Sequence, residues 1–468
     1  MELTIDEILK ATGGTLPTGN LKTIVRSIGT DTRKLKAGDF YAALVGPRFD
    51  GHNFVADALA KGASGVLVSR TVGAHSHEVV PPRGCAPLPV VQVPDTQRAL
   101  GDIAKYWRSR WQRHWRFDIP VVAITGSCGK TTTKDLLSAL LSQKGDVLKT
   151  EGNLNNLIGL PLTVFGLSKE HRFAVLEMGM NAFGEIARLT EIACPTIGLI
   201  TNVGHAHLEG VGDIEGVARA KGELFEGLGP SAVAVVNADD PRIAKLPTKA
   251  RKLTFGRKAK ADIQATHVEY DAGKMRVTVR DPSGQRTVFT LPMAGEHHVL
   301  NWLAAYAVGF ELGVDPRQAQ TALDTFKPGA MRGEEIRLKN DIIVVNDAYN
   351  ANPDSMAAAL AVLAKCYPRR RRVAVLGEMW ELGDETAALH RWVGKTAGES
   401  KIDLLFAYGE HAPDMVQGFP SGGFAFADMP ELCRKLKESL RKEDVVLVKG
   451  SRGSQMERVV EFLERELS

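Results

Sequence analysis

Residues 121–134 read VVAITGSCGKTTTK: an apolar run rich in β-branched residues, then glycines, then a Lys-Thr pair. The common phosphate-binding pattern is G-x-x-x-x-G-K-[ST], whose backbone amides cradle phosphates while the lysine and hydroxyl reach phosphate and Mg²⁺. Counted back from Gly129, its first glycine would fall at position 124, which holds Ile124; Gly126 comes instead. The loop is shortened but keeps its chemistry, with Gly126, Ser127, Gly129, Lys130, Thr131 and Thr132 as the candidate cradle. A helix is expected to start near Lys130, and its N-terminus favours phosphate oxygens. Lys130 would offset charge on a transferred phosphate, and Thr131 would give its hydroxyl to Mg²⁺.

Outward from the loop, FAVLE (173–177), TIGLIT (196–201) and AVAVVN (232–237) are further short apolar runs separated by helical patterns. That alternation implies a mostly parallel, doubly wound α/β sheet over residues 117–327. Between 261 and 291 the pattern changes to polar–apolar alternation around DPSG, which reads as a hairpin attached to the sheet. Residues 328–468 begin again with DIIVVN, RVAVLG, IDLLFAY and VVLVKG, a second α/β unit of roughly Rossmann type. The Arg run at 369–372 precedes a strand and reads as a solvated turn. The first block, 1–116, carries the short runs GDFYAALVG and ASGVLVS, the Pro-rich VVPPRGCAPLP, and a helical stretch with Trp107, Trp111 and Trp115 spaced four apart. The Trp stripe, interleaved with arginines, is expected to pack inward as a linker helix rather than to bind membrane or nucleic acid.

The length of 468 residues implies two to four domains. A hydrophobic share of 44% with 24% charged residues is ordinary for a soluble globular chain, and a net charge of +4 is too small to indicate nucleic-acid binding. Five scattered cysteines argue against a disulfide framework and for a reducing, cytoplasmic setting. No apolar signal core opens the chain and no stretch approaches a membrane span.

Ligands of an open parallel sheet collect beyond the carboxyl ends of its strands. The phosphate loop, Glu177 after FAVL, and the stretch NVGHAHLEG with His207 all fall in such positions. Glu177 suits a Mg²⁺ ion or the capping of the next turn; beside Thr131 and Glu177, His207 leans toward a metal role. Lys221 is anomalous: in DIEGVARAKGELFEGL the apolar face runs Ile214, Val217, Leu224, Phe225 and Leu228, and Lys221 falls on it. A bare cation there is costly to bury, so its pKa would fall and leave a nucleophilic amine. The alternative is a side chain snorkelling to a domain rim.

The motifs TGSCGKTTTK, EGNLNNLIGLPLT, LEMGMNAFGEI, TNVGHAHLEG, AKGELFEGL, GEHHVLNWLAA, MRGE, NDAYNANPDSM, LGEMWELG and VKGSRGSQMERVV occur in that order. Together they resemble the Mur ligases, and SIGTDTRKLKAGDFYAALVGPRFDGHNFV resembles that family's N-terminal uridine-nucleotide domain, so the likeness covers nearly the whole chain. NLNNLIGLPLT, YNANPDSM and KGSRGSQME point to the branch that adds D-Ala-D-Ala to UDP-N-acetylmuramoyl-tripeptide, and no D-N-P-R stretch suggests the diaminopimelate-adding branch. The resemblance implies a monomeric, cytoplasmic, ATP-dependent C–N ligase that forms an acyl phosphate, with two Mg²⁺ ions and three domains, 1–116, 117–327 and 328–468.

Carried over by position, the resemblance makes Thr131 and Glu177 ligands of the ATP-linked Mg²⁺ and His207 a ligand of the second ion. Lys221 matches the lysine the family carbamylates with CO₂, which would turn a buried cation into a metal-binding anion. Asn301 matches an adenine-contacting Asn, Arg332 a phosphate-binding Arg and Asp347 a ribose-binding Asp, with Tyr349 near the nucleotide. Asp31, Thr32, Arg33, Asp50 and His52 fall in the uridine-nucleotide segment, and Asn153, Asn155 and Asn156 match the stretch facing the muramoyl-peptide. Thr32 stands where Ser is usual, His298 where Asn is usual, and His205 is an extra imidazole that competes with His207 for the metal role. Because the site draws on several domains, substrate binding is expected to draw the third over the central one. The rival readings are a related ligase with another amine substrate, a folate-polyglutamate synthetase, and a nucleotide-dependent scaffold without catalysis.

Overall fold

The computed structural model describes residues 1–47, 49–70, 87–114, 119–271 and 274–467, without the side chains of residues 114 and 271. Trp115, Cys85, most of the Pro-rich stretch and the expected boundary at 116/117 lie outside the described residues. The chain packs as two compact units. One comprises Met1–Ala123, Gly145–Gly179 and Glu185–Ile197, the other Ile124–Lys144, Met180–Gly184 and Gly198–Ser468. The last sequence block therefore packs in the same unit as the phosphate loop.

In the first unit, a five-stranded sheet runs in the order Thr15–Thr18, Val90–Gln92, Gly65–Val68, Phe40–Ala42, Ile28–Gly29. Its first pair is antiparallel and the rest are parallel. Tyr41, Val55, Ala58, Val66 and Val68 close one face of it. The helix Thr96–His114 turns Trp111 inward, 4% exposed, with its indole N–H donating to Ser168 O at 2.8 Å. Arg108 is buried beside it and donates to Cys194 O, while the exposed Arg110 pairs with Glu7 at 2.6 Å. The inward packing expected of the stripe holds at Trp111. This unit also carries Asp146–Lys149 parallel to His171–Glu177, which borders the opening residues of Val121–Thr125.

In the second unit, the end of Val121–Thr125 leads into the order Ile197–Ile200, Val233–Asn237, Arg251–Gly256, Ile263–Asp271, Lys274–Arg280, Arg286–Leu291. The expected hairpin is present as the antiparallel end of this sheet, with Met275 opposite Leu291 and Arg280 opposite Arg286. Its turn is held by Asp281, whose carboxylate accepts from the N–H groups of Ser283 and Gln285. A separate six-stranded sheet orders Glu334–Leu338, Ile342–Asp347, Val445–Lys449, Arg372–Gly377, Leu404–Tyr408, Phe424–Phe426, all parallel after the first pair. Successive side chains alternate between faces, so Ala374 and Leu376 enter one core and Val373 and Val375 the other.

The Arg run departs from a solvated turn. Arg370 pairs with Asp341 at 2.6 Å, and Arg371 with Asp444 at 3.0 Å. Asp444 is 1% exposed, and burial pushes its carboxyl up despite that partner. Arg371→Ala would leave this buried carboxylate without its cation and is expected to cost about 3 kcal/mol, read from urea unfolding at neutral pH. Arg369→Ala, at an exposed position, should change stability little.

Candidate active site

The strand Val121–Thr125 delivers residues 126–129 to the helix Lys130–Leu141. Gly126 sits at φ 150° and Gly129 at φ 80°. A Cβ on Gly126 would lie 1.9 Å from Thr201 Oγ1, and one on Gly129 would lie 2.2 Å from Asn301 Oδ1. The shortened loop thus needs glycine at both places because each presses on a side chain from another element. The Ser127 N–H donates to Asn202 O at 3.0 Å and the Cys128 N–H to Asn202 Oδ1 at 2.8 Å. In turn the Cys128 carbonyl accepts from Thr201 Oγ1 and Asn202 Nδ2. With the Ser127 and Cys128 amides so engaged, the helix start is the part of the loop suited to receive an anion, since the Gly129 N-cap supplies no side-chain cap.

Lys130 folds back to donate from Nζ to Gly126 O at 2.7 Å. Arg332 Nη2 donates to Thr131 Oγ1 at 3.0 Å, and its guanidinium lies over the Tyr349 ring, 4.1 Å from the centroid. Arg332, Tyr349 and Thr131, all sequence-predicted, are therefore brought together. Asp347 ends the strand Ile342–Asp347 and pairs with Lys449 Nζ at 2.7 Å; Lys449 ends the neighbouring strand and also donates to Asn350 O. His298 is half-buried, with its Nδ1 shut off from solvent and without a hydrogen-bond partner among the described residues, and this desolvation drives its pKa well down.

Lys221 lies on the helix Ile214–Glu226, which Asp213 caps by accepting from Gly216 N–H. It is 1% exposed, and among the described residues its amine has no hydrogen bond or ion pair. Burial first, and the Lys130 charge second, lower its pKa well below the lysine range. The amine is thus biased toward its neutral, nucleophilic form. The inward placement read from the helix face is realised; the side chain does not snorkel.

Four side-chain contacts among the described residues tie the last block to this region. Asn352, the N-cap of helix Pro353–Cys366, meets Cys128 Sγ at 3.1–3.2 Å. Asp354 Oδ2 accepts from the His205 N–H at 2.6 Å, and Gly204 has no room for a Cβ against it. His207 Nδ1 lies 2.5 Å from Glu381 Oε2. Arg332 on Thr131 is the fourth. The extra imidazole and His207 thus each meet a different carboxylate of the last block.

In the first unit, Glu177 is buried; its N–H donates to Thr150 Oγ1 and its Oε1 accepts from Asn155 Nδ2 at 2.8 Å. Asn156 turns to its own backbone, accepting from the N–H groups of Ile158 and Gly159, and Asn153 is exposed. Asp31 and Arg33 form a two-point pair at 2.9 Å that holds the partly exposed Asp31 carboxyl down to about 2, with Thr32 between them in sequence. His52 is 4% exposed with both ring nitrogens engaged, Nδ1 against Asp50 and Nε2 accepting from Ser69 N–H. Arg70 pairs with the other Asp50 oxygen. His52 therefore fixes Asp50 from beneath, and Asp50 with Arg70 forms the accessible part.

The residues missed by sequence reasoning are Lys449, Asn352, Asp354, Glu381, Asn202 and Thr201. Lys449 carried a usable signal, a charged residue closing the all-apolar run VVLV, the same signal that singled out Glu177. Among the described residues no group of three or more His, Cys, Asp or Glu side chains is placed to hold a metal ion by itself. No helix among the described residues is long and apolar enough to cross a membrane.

Comparison with known proteins matches three family models in succession: Mur ligase family, catalytic domain, at 24–108; Mur ligase middle domain at 124–309; and Mur ligase, glutamate ligase domain, at 331–452. The UDP-N-acetylmuramoyl-tripeptide–D-alanyl-D-alanine ligase of Bacillus subtilis is 35% identical over 98% of this chain and 98% of its own. The chain belongs to the Mur ligase family. A crystal structure of MurF from Acinetobacter baumannii is 33% identical, covers 99% of both chains and superposes with a TM-score of 0.89. The MurF ligase of Thermotoga maritima, solved in complex with ADP, is 29% identical over 94% of this Mur ligase and 98% of its own chain, TM-score 0.81. The three-domain α/β architecture expected from the motifs is the architecture of these Mur ligase relatives.

Proposed function

We propose that this Mur ligase joins D-alanyl-D-alanine to UDP-N-acetylmuramoyl-tripeptide, with ATP converted to ADP and phosphate, in the cytoplasmic stage of peptidoglycan synthesis. The observation that carries the reading is the 35% identity with a ligase of that name over 98% of both chains. The peptide carboxylate oxygen attacks the γ-phosphorus and ADP leaves. The amine nitrogen of D-Ala-D-Ala then attacks the acyl carbon, the C–O bond to phosphate breaks, and the amine proton passes to solvent.

The chain's own groups serve charge neutralisation between anions. Lys130 swings from Gly126 O to the transferred phosphate, and Arg332, already on Thr131 and stacked over Tyr349, meets the same phosphates from the last block. Asp347, held by Lys449, takes the ribose, and Asn301, packed on Gly129, faces the adenine side. Asp31, Thr32, Arg33 and Asp50, with His52 supporting Asp50, receive the uridine nucleotide; Asn153, Asn155 and Asn156 receive the muramoyl-peptide.

The donor chemistry fits Mg²⁺: a hydroxyl at Thr131 and a carboxylate at Glu177, with His207 as a nitrogen donor and substrate phosphates to complete the shell. Mg²⁺ ions there would screen the charge between ATP and the acyl phosphate. Lys221 as a free amine is a poor Mg²⁺ ligand, but its buried neutral form is the one that adds CO₂, and a carbamate would supply oxygen donors. We read the working enzyme as a cytoplasmic monomer with domains 1–116, 117–327 and 328–468.

The test is phosphate release from ATP with UDP-N-acetylmuramoyl-tripeptide, with and without D-Ala-D-Ala. Release that needs both, with a pentapeptide product mass, is expected, and Lys130→Ala should lower it about 10³-fold. Turnover with a different amine alone would overturn the substrate assignment and keep the chemistry. No turnover with any amine would overturn the ligase reading.

A further inference from the structure

His207 and Glu381 meet in an unusual way. Both are non-glycine residues in the left-handed region, at φ 59° and 65°, so each side chain is aimed by a specific local turn. His207 precedes the short helix Leu208–Val211, and Glu381 lies in the loop after the strand Arg372–Gly377 of the last block. The backbones meet as well: the Glu209 N–H donates to Glu381 O at 3.3 Å, and Gly383, at φ 58°, packs on Glu209. The His207 Nδ1 atom is shut off from solvent and has no aligned hydrogen-bond partner among the described residues. Its close neighbour is Glu381 Oε2, 2.5 Å away. A ring nitrogen and a carboxylate oxygen at that separation require a proton between them, which leaves the lone pair of the neutral ring on Nε2.

We infer that Glu381 is a positioning residue for His207, fixing the Nδ1–H tautomer and the ring orientation only when the last block is docked on the phosphate-loop region. Metal-binding histidines use this device: the nitrogen that does not ligate donates to a carboxylate, which sets the tautomer and raises ligand basicity. Here the carboxylate comes from a different part of the chain than the imidazole, so docking and readiness of the imidazole become one event. Asp354 on the His205 N–H braces the same docking without touching the His207 ring, which makes it a control for loosened docking alone. The inference rests on the reading of His207 as a Mg²⁺ ligand, and the test separates the two.

The full-length protein with ¹⁵N-labelled histidine, compared with Glu381→Ala, Glu381→Gln, Asp354→Ala and His207→Ala, gives a readout independent of turnover. The ring nitrogens of His207, identified by loss of their signals in His207→Ala, should report the Nδ1–H tautomer in the parent and in Glu381→Gln, whose amide oxygen still accepts. In Glu381→Ala they should show exchange between tautomers, with an unchanged thermal transition because Glu381 is half exposed. In parallel, the Mg²⁺ concentration for half-maximal phosphate release should rise about 10-fold in Glu381→Ala. His207 signals in Glu381→Ala identical to the parent, or altered equally in Asp354→Ala, overturn the inference. Altered signals together with an unchanged Mg²⁺ requirement in His207→Ala keep the positioning role and overturn the ligand reading.

Discussion

Lys221→Met is expected to abolish ligation while making the protein more stable. Lysine and methionine have similar length, so the substitution keeps the packing of helix Ile214–Glu226 and removes only the amine. That amine is 1% exposed and unpaired among the described residues, with the Lys130 charge nearby. An ionisable group so placed costs stability, and its removal should add about 1–2 kcal/mol in urea unfolding at neutral pH. The pH dependence has a definite sign. In the unfolded chain the amine keeps its proton up to the ordinary value of 10.5, whereas in the folded chain it gives the proton up well below that. Between those limits the unfolded state binds more protons, so stability rises with pH and levels off above about 10.5. Lys221→Met should remove that rise, and its advantage over the parent should be greatest at the acidic end of the window. On the proposed reading, turnover should fall at least about 10³-fold, because the carbamate proposed at Lys221 could not form and the charge neutralisation assigned to it would be lost. Loss of stability in Lys221→Met would mean that the amine has a partner in solution. Retained turnover would remove Lys221 from the mechanism.

Lys221 also shows what a sequence makes legible. Its position follows from helical periodicity alone: three residues before Leu224 and four after Val217, it must share their face. The phosphate loop was equally open to reading, because strand, glycine, lysine and threonine are consecutive. The sheet hairpin at 274–291 declared itself through alternation and DPSG. What the sequence withheld were pairings made across long separations. Nothing near Asn352 announces Cys128, and nothing near Glu381 announces His207, since both contacts depend on how the last block docks. The Arg run misled for the same reason. A charge cluster in a turn ordinarily points to water, but the acids that claim Arg370 and Arg371 lie at 341 and 444, on neighbouring strands or their approaches. Motif resemblance compensated in part, because it supplied Arg332 and Asp347 by position. Lys449, which holds Asp347, belonged to a quoted motif yet had no assigned role.

Gly129→Ala is expected to remove nucleotide-dependent activity without unfolding the protein. Two separate effects act at this position. With φ at 80° and ψ at −3°, an alanine would occupy the left-handed region at a cost of about 1–2 kcal/mol. Its Cβ would also fall 2.2 Å from Asn301 Oδ1, far inside contact distance, so either the loop or the buried Asn301 must move. Displacement of the loop by even about 1 Å moves Lys130 and the helix N-terminus off the phosphates, a shift worth about 10²-fold in rate. The two effects separate in a double-mutant cycle with Asn301→Ala, which clears the space but leaves the backbone cost. Stability of the double variant should exceed the sum of the single effects by about 1 kcal/mol, measured by urea unfolding. Its turnover should stay low, since Asn301 is itself a nucleotide contact in the proposed site. ATP should raise the thermal midpoint of the parent and not of Gly129→Ala, as binding to the folded state alone requires. A Gly129→Ala enzyme that still gains stability from ATP and turns over normally would show that the shortened loop does not set the phosphate position. The role of phosphate anchor would then pass to Arg332 and the last block.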